Sequence, residues 1–284
     1  MTGGLFHPGP ESAFLPAARA VYADLLARTL AHPYALHRRS SQAFALNLFA
    51  PLTDTGNLAV LAALGLDAVT VEPTVFEYSD PADRLAEAKP NSPHRTQVDV
   101  LLRGTDAAGA RVCALIEVKF TESDFSGCSA YTNPANPHRD VCRTPGLFGN
   151  DTDHCFQLAN HGAGPRRAYD TYLTDSPIRL PEGAGDNGGC LVRTGLNQPM
   201  RNLALAHLLL ATGEADRVVY TLCAPAGHHT IWRRFTEARA AFPDTPHRTL
   251  RTLTAEQVAP MHTDHGTALA AHYPIDDIAW PCTA

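Results

Sequence analysis

Three ionisable residues sit in two runs that otherwise read as core: Asp99 in QVDVLL, then Glu117 and Lys119 in ALIEVKF. The flanking residues are apolar and β-branched, as in buried strands. An ionised group in such surroundings is costly unless it is paired or bound to metal, so these three need one another or a ligand. Two carboxylates and one ammonium at the rim of a sheet suit a hard divalent cation and an anionic substrate. The competing reading is a surface strand that merely alternates Glu and Lys. The apolar flanks on both runs make it the poorer one.

The stretch GTDAAGA (104–110) between the two runs supplies turn residues and predicts an antiparallel hairpin. Side chains alternate along a strand, which places Glu117 and Lys119 on one face with Leu115 and Cys113. If Arg103 pairs with Arg111, Asp99 faces Leu115 and lies diagonal to Glu117. If Gly104 is absorbed in a bulge or the register moves by two, Asp99 faces Glu117 directly. Both registers keep the three groups on one face, with neighbours roughly 5–8 Å apart between Cβ atoms. A slip of one residue separates them.

Around this hairpin the pattern alternates helix and strand. Residues 11–31 read as one amphipathic helix. Ser40 and Ser41 cap a second helix, 42–49, that stops before Pro51. Asn57 caps a short third one, 58–64, ended by Gly65. Residues 68–78 read as a strand interrupted at Pro73, and 79–95 as an acidic, Pro-rich loop. A helix follows at 199–212, started by Pro199, and RVVYTLCA (217–224) is a buried strand. A helix near 230–241, a weak strand near 248–253 and a helix near 263–272 close the chain.

Residues 122–197 differ from the rest. They are rich in Gly, Pro, Asn, Asp and Cys, and too long for an ordinary loop. Cys128, Cys142, Cys155 and Cys190 all fall here, without a CxxC knuckle, so a regular zinc finger is not indicated. Four thiolates nonetheless suit a soft metal, either a 4Fe–4S cluster or, second to it, a structural Zn²⁺, which would hold a core-poor segment together. Cys113 and Cys223 lie inside strands and read as small buried apolar residues.

Composition sets outer limits. A hydrophobic content of 44% over 284 residues is ample for a large core, and the formal charge of −6 excludes a surface coated in basic residues. Nucleic acid binding would therefore need a local basic groove, for which His37-Arg38-Arg39, Arg166-Arg167 and Arg233-Arg234 are the candidate pieces. The N-terminus lacks the basic start and apolar run of a signal peptide, and no segment is apolar for long enough to span a bilayer. Cytoplasm is the default expectation, in which seven cysteines are free or metal-bound rather than paired. No G-x-S-x-G elbow and no Walker loop is present.

The pattern Asp99, then Glu117-Val118-Lys119, resembles the PD-(D/E)XK nuclease superfamily, which includes restriction endonucleases and RecB-like exonucleases. Val98 stands where many members have Pro. SSQAFALNLFAPL (40–52) and QPMRNLALAHLLL (198–210) are similar to a bacterial branch of restriction-endonuclease-like proteins. The resemblance covers residues 35–225. It implies an α/β fold, a restriction-endonuclease-like mixed sheet flanked by helices, here with a Cys-containing irregular insert. The chain then reads as one nuclease-like domain over 1–284, with its core at 35–225, the insert at 122–197 and a C-terminal helical extension at 226–284.

The resemblance also implies roles. Asp99 and Glu117 would hold Mg²⁺ or Mn²⁺, helped by the Val118 carbonyl. Lys119 would orient and polarise the attacking water or balance charge on the phosphate. A further acid often completes such a site, and Glu77 is preferred over Glu72, which lies five residues away and faces the other way on a regular strand. Gln198, with Arg201 one turn on, resembles the polar helix residues that face the active site in RecB-like nucleases. Gln42 and Asn47 are weaker candidates. The implied function is metal-dependent phosphodiester hydrolysis, with DNA as the expected partner. The alternative is a Zn- or Fe–S-stabilised protein that binds nucleic acid or another partner without catalysis. Oligomeric state is not legible.

Overall fold

The two polar-bearing runs lie at the centre of a six-stranded sheet. A computed structural model of the chain describes residues 5–89, 95–148, 151–173, 189–262 and 266–273. Its strands are β1 (Ala68–Val71), β2 (Val75–Tyr78), β3 (Val98–Asp106), β4 (Arg111–Val118), β5 (Arg217–Ala224) and β6 (Arg248–Thr254). The order across the sheet is β1-β3-β4-β5-β6, with β2 also pairing β3. β1, β2 and β4 run antiparallel to β3, whereas β5 and β6 continue from β4 in parallel. The near-continuous apolar text of β5 follows from this position, because a parallel strand inside a sheet is covered on both faces.

Helices α1 (Pro10–Ala13), α2 (Pro16–Ala27), α3 (Ser41–Phe49) and α4 (Asp54–Ala63) precede the sheet. α5 (Ser129–Thr132) and α6 (Tyr169–Leu173) lie in the insert, followed by α7 (Asn197–Ala211), α8 (His229–Ala241), α9 (Ala255–Val258) and α10 (Gly266–His272). Two apolar layers sandwich the sheet. α7, α8 and the insert residues Phe125, Leu158 and Tyr169 pack on one face with Leu101 and Leu115. Residues of α2, α3, α4 and α10 pack on the other with Val100, Leu102 and Ile116.

The hairpin forms as the turn residues predict. Asp106 Oδ1 accepts from the amides of Ala108 and Ala110, and Gly109 takes a left-handed φ of 83°. Of the two registers weighed, the shifted one is found: Arg103 pairs with Cys113 and Val100 with Ile116, which sets Asp99 opposite Glu117 one step further on. Gly104 is not part of a turn. It sits inside β3, where a Cβ would lie 2.5 Å from the Thr70 carbonyl oxygen of β1.

Several boundaries differ from the sequence expectation. The helix expected at 11–31 is two helices, because Pro16 holds Leu15 in extended backbone (ψ 157°). The helix expected from Asn57 starts earlier, at Asp54 under a Thr53 cap, and Asn57 instead binds Thr74 from within it. Pro73 does divide the strand expected at 68–78 into β1 and β2. β6 belongs to the central sheet, so the sheet continues past residue 225 into the part expected to be a helical extension. No helix among the described residues is long and apolar enough to cross a membrane.

Candidate active site

The β3–β4 ladder ends at Val100↔Ile116, and from there the two strands splay. The next amide, Val118 N, donates to Asp99 Oδ2 at 2.6 Å, so a side chain takes the place of a backbone partner. β4 meanwhile stays attached to β5, with Lys119 N donating to the Cys223 carbonyl. A cavity of about 810 Å³ opens at this splayed end, lined by Glu77, Asp99, Glu117, Lys119, Glu122 and Gln198.

Glu117 is 1% exposed and densely bonded. Its Oε1 accepts from Gln198 Nε2 at 2.5 Å and from Lys119 Nζ at 3.0 Å, and its Oε2 accepts from Asn202 Nδ2 at 2.9 Å. Gln198 in turn accepts from Lys119 at 2.8 Å, which closes a ring of three side chains. Gln198 and Asn202 are four apart on α7 and so point the same way. Arg201, expected beside Gln198, lines a side pocket with Gln198, Asp99 and Glu77, and there binds the buried Glu87 and Thr96.

Glu77 also faces the cavity, and Glu72 is exposed away from it. Glu77 has φ 52° within β2, a left-handed backbone that is rare and costly for a residue with a Cβ. On its two sides Phe76 and Tyr78 enter opposite apolar layers, so the kink breaks the strand's alternation. Gln42 of α3 donates to its carboxylate at 2.6 Å, and also binds the chain at Leu30 and His32. Asn47, the other residue weighed on α3, is buried in the opposite layer, where it ties Ala13, Leu15 and Tyr273 together.

The charge balance is negative. Burial, reinforced by Glu117 and Glu77, holds the Asp99 carboxyl well above the usual carboxylate range. Burial raises Glu77 to about 7, with Gln42 opposing the rise and Glu117 adding to it. Lys119 moves the other way. Burial presses its ammonium down, but Glu117, Glu122 and Asp99 outweigh that and hold it above its ordinary value. Sequence reasoning missed Glu122, which receives the amides of Phe120 and Thr121 and the Ser41 hydroxyl. It missed Asn202 as well, although the i, i+4 spacing from Gln198 was there to read.

Of the three basic pieces, one borders the cavity. His37 and Arg39 line it, joined by Arg95 from the loop before β3. Arg166 is paired with Asp170, Arg167 is buried against Asn160, and Arg234 is paired with Glu237.

The four insert cysteines line a second, separate cavity of about 20 Å³. Among the described residues no three His, Cys, Asp or Glu side chains already stand as a metal-holding group. At the first cavity, Glu117 uses three of a carboxylate's roughly four acceptor positions and Asp99 accepts from Val118, so oxygen positions remain for a cation. Carboxylates and a backbone carbonyl are hard donors of the kind Mg²⁺ and Mn²⁺ prefer.

A family model described as restriction endonuclease associating with ARP matches residues 24–273. No curated protein and no solved structure matches the chain.

Proposed function

We propose that this chain, which belongs to the family of restriction endonucleases associating with ARP, hydrolyses DNA phosphodiester bonds with a divalent metal ion, using Asp99, Glu117 and Lys119. Family membership supports the nuclease class. One observation carries the residue assignment: the three groups, carried by two core-like strands, meet at the splayed end of β3 and β4 on the wall of one large cavity.

A bound Mg²⁺ or Mn²⁺, held by Asp99, Glu117 and the Val118 carbonyl, would supply an acidified water and countercharge for the phosphate. The chain's own groups do the rest. Lys119 stays protonated among its carboxylates, so it serves as a donor to a phosphate oxygen or to the attacking water and not as the base. An ammonium has three donors, and two of them go to Glu117 and Gln198. Gln198 and Asn202 fix the Glu117 carboxylate against rotation, which preserves the geometry between encounters with substrate. Glu77, steered by Gln42, adds a third acid on the wall. His37, Arg39 and Arg95 supply positive charge along the same cavity for the DNA backbone.

The test is cleavage of linear and circular DNA by the purified chain with Mg²⁺ or Mn²⁺, and its arrest by chelator. Asp99→Ala, Glu117→Ala and Lys119→Ala should each lower the rate roughly 10²–10⁴-fold with the fold retained. The triple variant should be little worse than a single one, because the groups act as a unit. Full activity in Glu117→Ala overturns the assignment.

A further inference from the structure

The segment between β4 and α7 brings four cysteines, spread from 128 to 190, to the wall of one small cavity. Each arrives by a different route. Cys128 precedes α5, Cys142 lies in a one-turn helix (Val141–Arg143), Cys155 follows a turn from Thr152, and Cys190 makes an isolated bridge to Gly146. Cys190 N also donates to the Cys142 carbonyl at 3.0 Å. Gly189 permits this approach: its φ is 56°, and a Cβ there would lie 2.5 Å from the Cys142 oxygen.

Three of the four share one local design. The amides of Ala130 and Tyr131 lie on the side of the Cys128 sulfur and favour its thiolate, as do those of Gln157 and Leu158 at Cys155 and of Val192 and Arg193 at Cys190, while Tyr131 N and Arg193 N donate to the Cys128 and Cys190 carbonyls. In each case the donors come from two and three residues ahead. Paired amides do little for a neutral thiol but form charge-assisted bonds to a thiolate. A turn built three times over around sulfur is the arrangement expected of metal ligands, and no CxxC spacing announces it.

We propose that Cys128, Cys142, Cys155 and Cys190 form a tetrathiolate site for one zinc-class divalent ion. The donors are soft and four in number, as structural zinc sites require. The four thiolates would complete a tetrahedral shell around one ion by themselves, whereas a cluster would also need inorganic sulfide. Loading would release the four thiol protons to solvent and leave a doubly negative centre. The paired amides and Arg193, whose side chain stacks on Tyr131 and lines the same cavity, offset that charge.

As described, the Cys128 thiol donates to the Gln157 side chain and the Cys190 thiol to the Leu147 carbonyl. Turning these two sulfurs inward is the rearrangement that loading requires. Gln157 also donates to Asn197 at the start of α7, at 2.8 Å. The site is thereby joined to the helix that carries Gln198 and Asn202, and it acts as a staple for that helix and not as a reacting centre.

The proposal is tested on the whole chain, purified without chelator, by metal analysis. About one zinc per chain is expected. Replacing that zinc with Co²⁺ should give thiolate-to-cobalt charge-transfer bands and the strong visible bands of a tetrahedral ion. Cys142→Ser, at the least buried of the four, should lower zinc content about tenfold, and the segment between β4 and α7 should then be cut faster by protease. Stripping zinc from the unaltered chain should do the same, which keeps the test valid if the variant fails to fold. Iron and sulfide at about four each per chain would overturn the single-ion site in favour of a cluster. So would disulfides among these cysteines, or native protein without any metal. All of these readouts stand whether or not DNA is cleaved.

Discussion

At the scale of single residues, Glu77 shows how this site stores cost. It combines a left-handed backbone with a carboxyl that burial raises from 4.5 to about 7. Its folded pKa lies above its unfolded one, so the folded state binds this proton more tightly. The stabilising contribution is whole below about pH 4.5 and is lost as the pH rises through about 7. A rise of that size corresponds to about 3 kcal/mol at most. Glu77→Gln keeps the acceptor for Gln42 and removes the charge. Urea unfolding of metal-free protein should therefore show the variant about 1–3 kcal/mol more stable than the unaltered chain at pH 8, and nearly equal to it at pH 4.5. An equal difference at both pH values would mean that the charge of Glu77 is not what costs stability at this position.

At the scale of elements, β3 is constrained at both ends. One end carries Asp99, where the ladder stops. The other carries Gly104, which lets β1 approach so closely that a Cβ would also meet Ala68 at 3.0 Å. Gly104→Ala should push β1 outward and destabilise the chain by roughly 1–3 kcal/mol, as overpacking does. Denaturant titration would measure the loss. Cleavage per folded molecule should stay unchanged, because the register that brings Asp99 opposite Glu117 is held by β3 and β4. A large fall in that activity would show that β1 helps set the register.

At the scale of the whole molecule, a chain of formal charge −6 must gather its positive charge locally to hold DNA. His37, Arg39 and Arg95 do so along the cavity that contains the carboxylates. DNA affinity should fall linearly with salt on logarithmic axes. Arg39→Ala and Arg95→Ala should each reduce the slope by about one, the signature of one lost phosphate contact. Fluorescence anisotropy at several salt concentrations, with a chelator present to prevent cleavage, would measure it. An unchanged slope in both variants would place the DNA elsewhere on the surface.

The local features were legible because local chemistry determines them. Turn residues within 104–110 specified the hairpin although Gly104 itself lies in β3, Pro73 specified the break between β1 and β2, and the strand period the shared face of Glu117 and Lys119. Charged groups inside apolar strands marked the candidate site, since water is the only cheap alternative to a partner. Register was left between two choices, because alternation cannot tell a shift of two residues from none. Contacts between distant segments decided the remainder. Glu122 and Asn202 enter the site only once α3, β4 and α7 are packed around it. Buried acceptors, Asn160 and Glu87, hold Arg167 and Arg201, partners that no local pattern announces. The gathering of four widely spaced cysteines was expected from their shared core-poor segment and not from any period, and the tertiary structure decides the route by which each reaches one cavity.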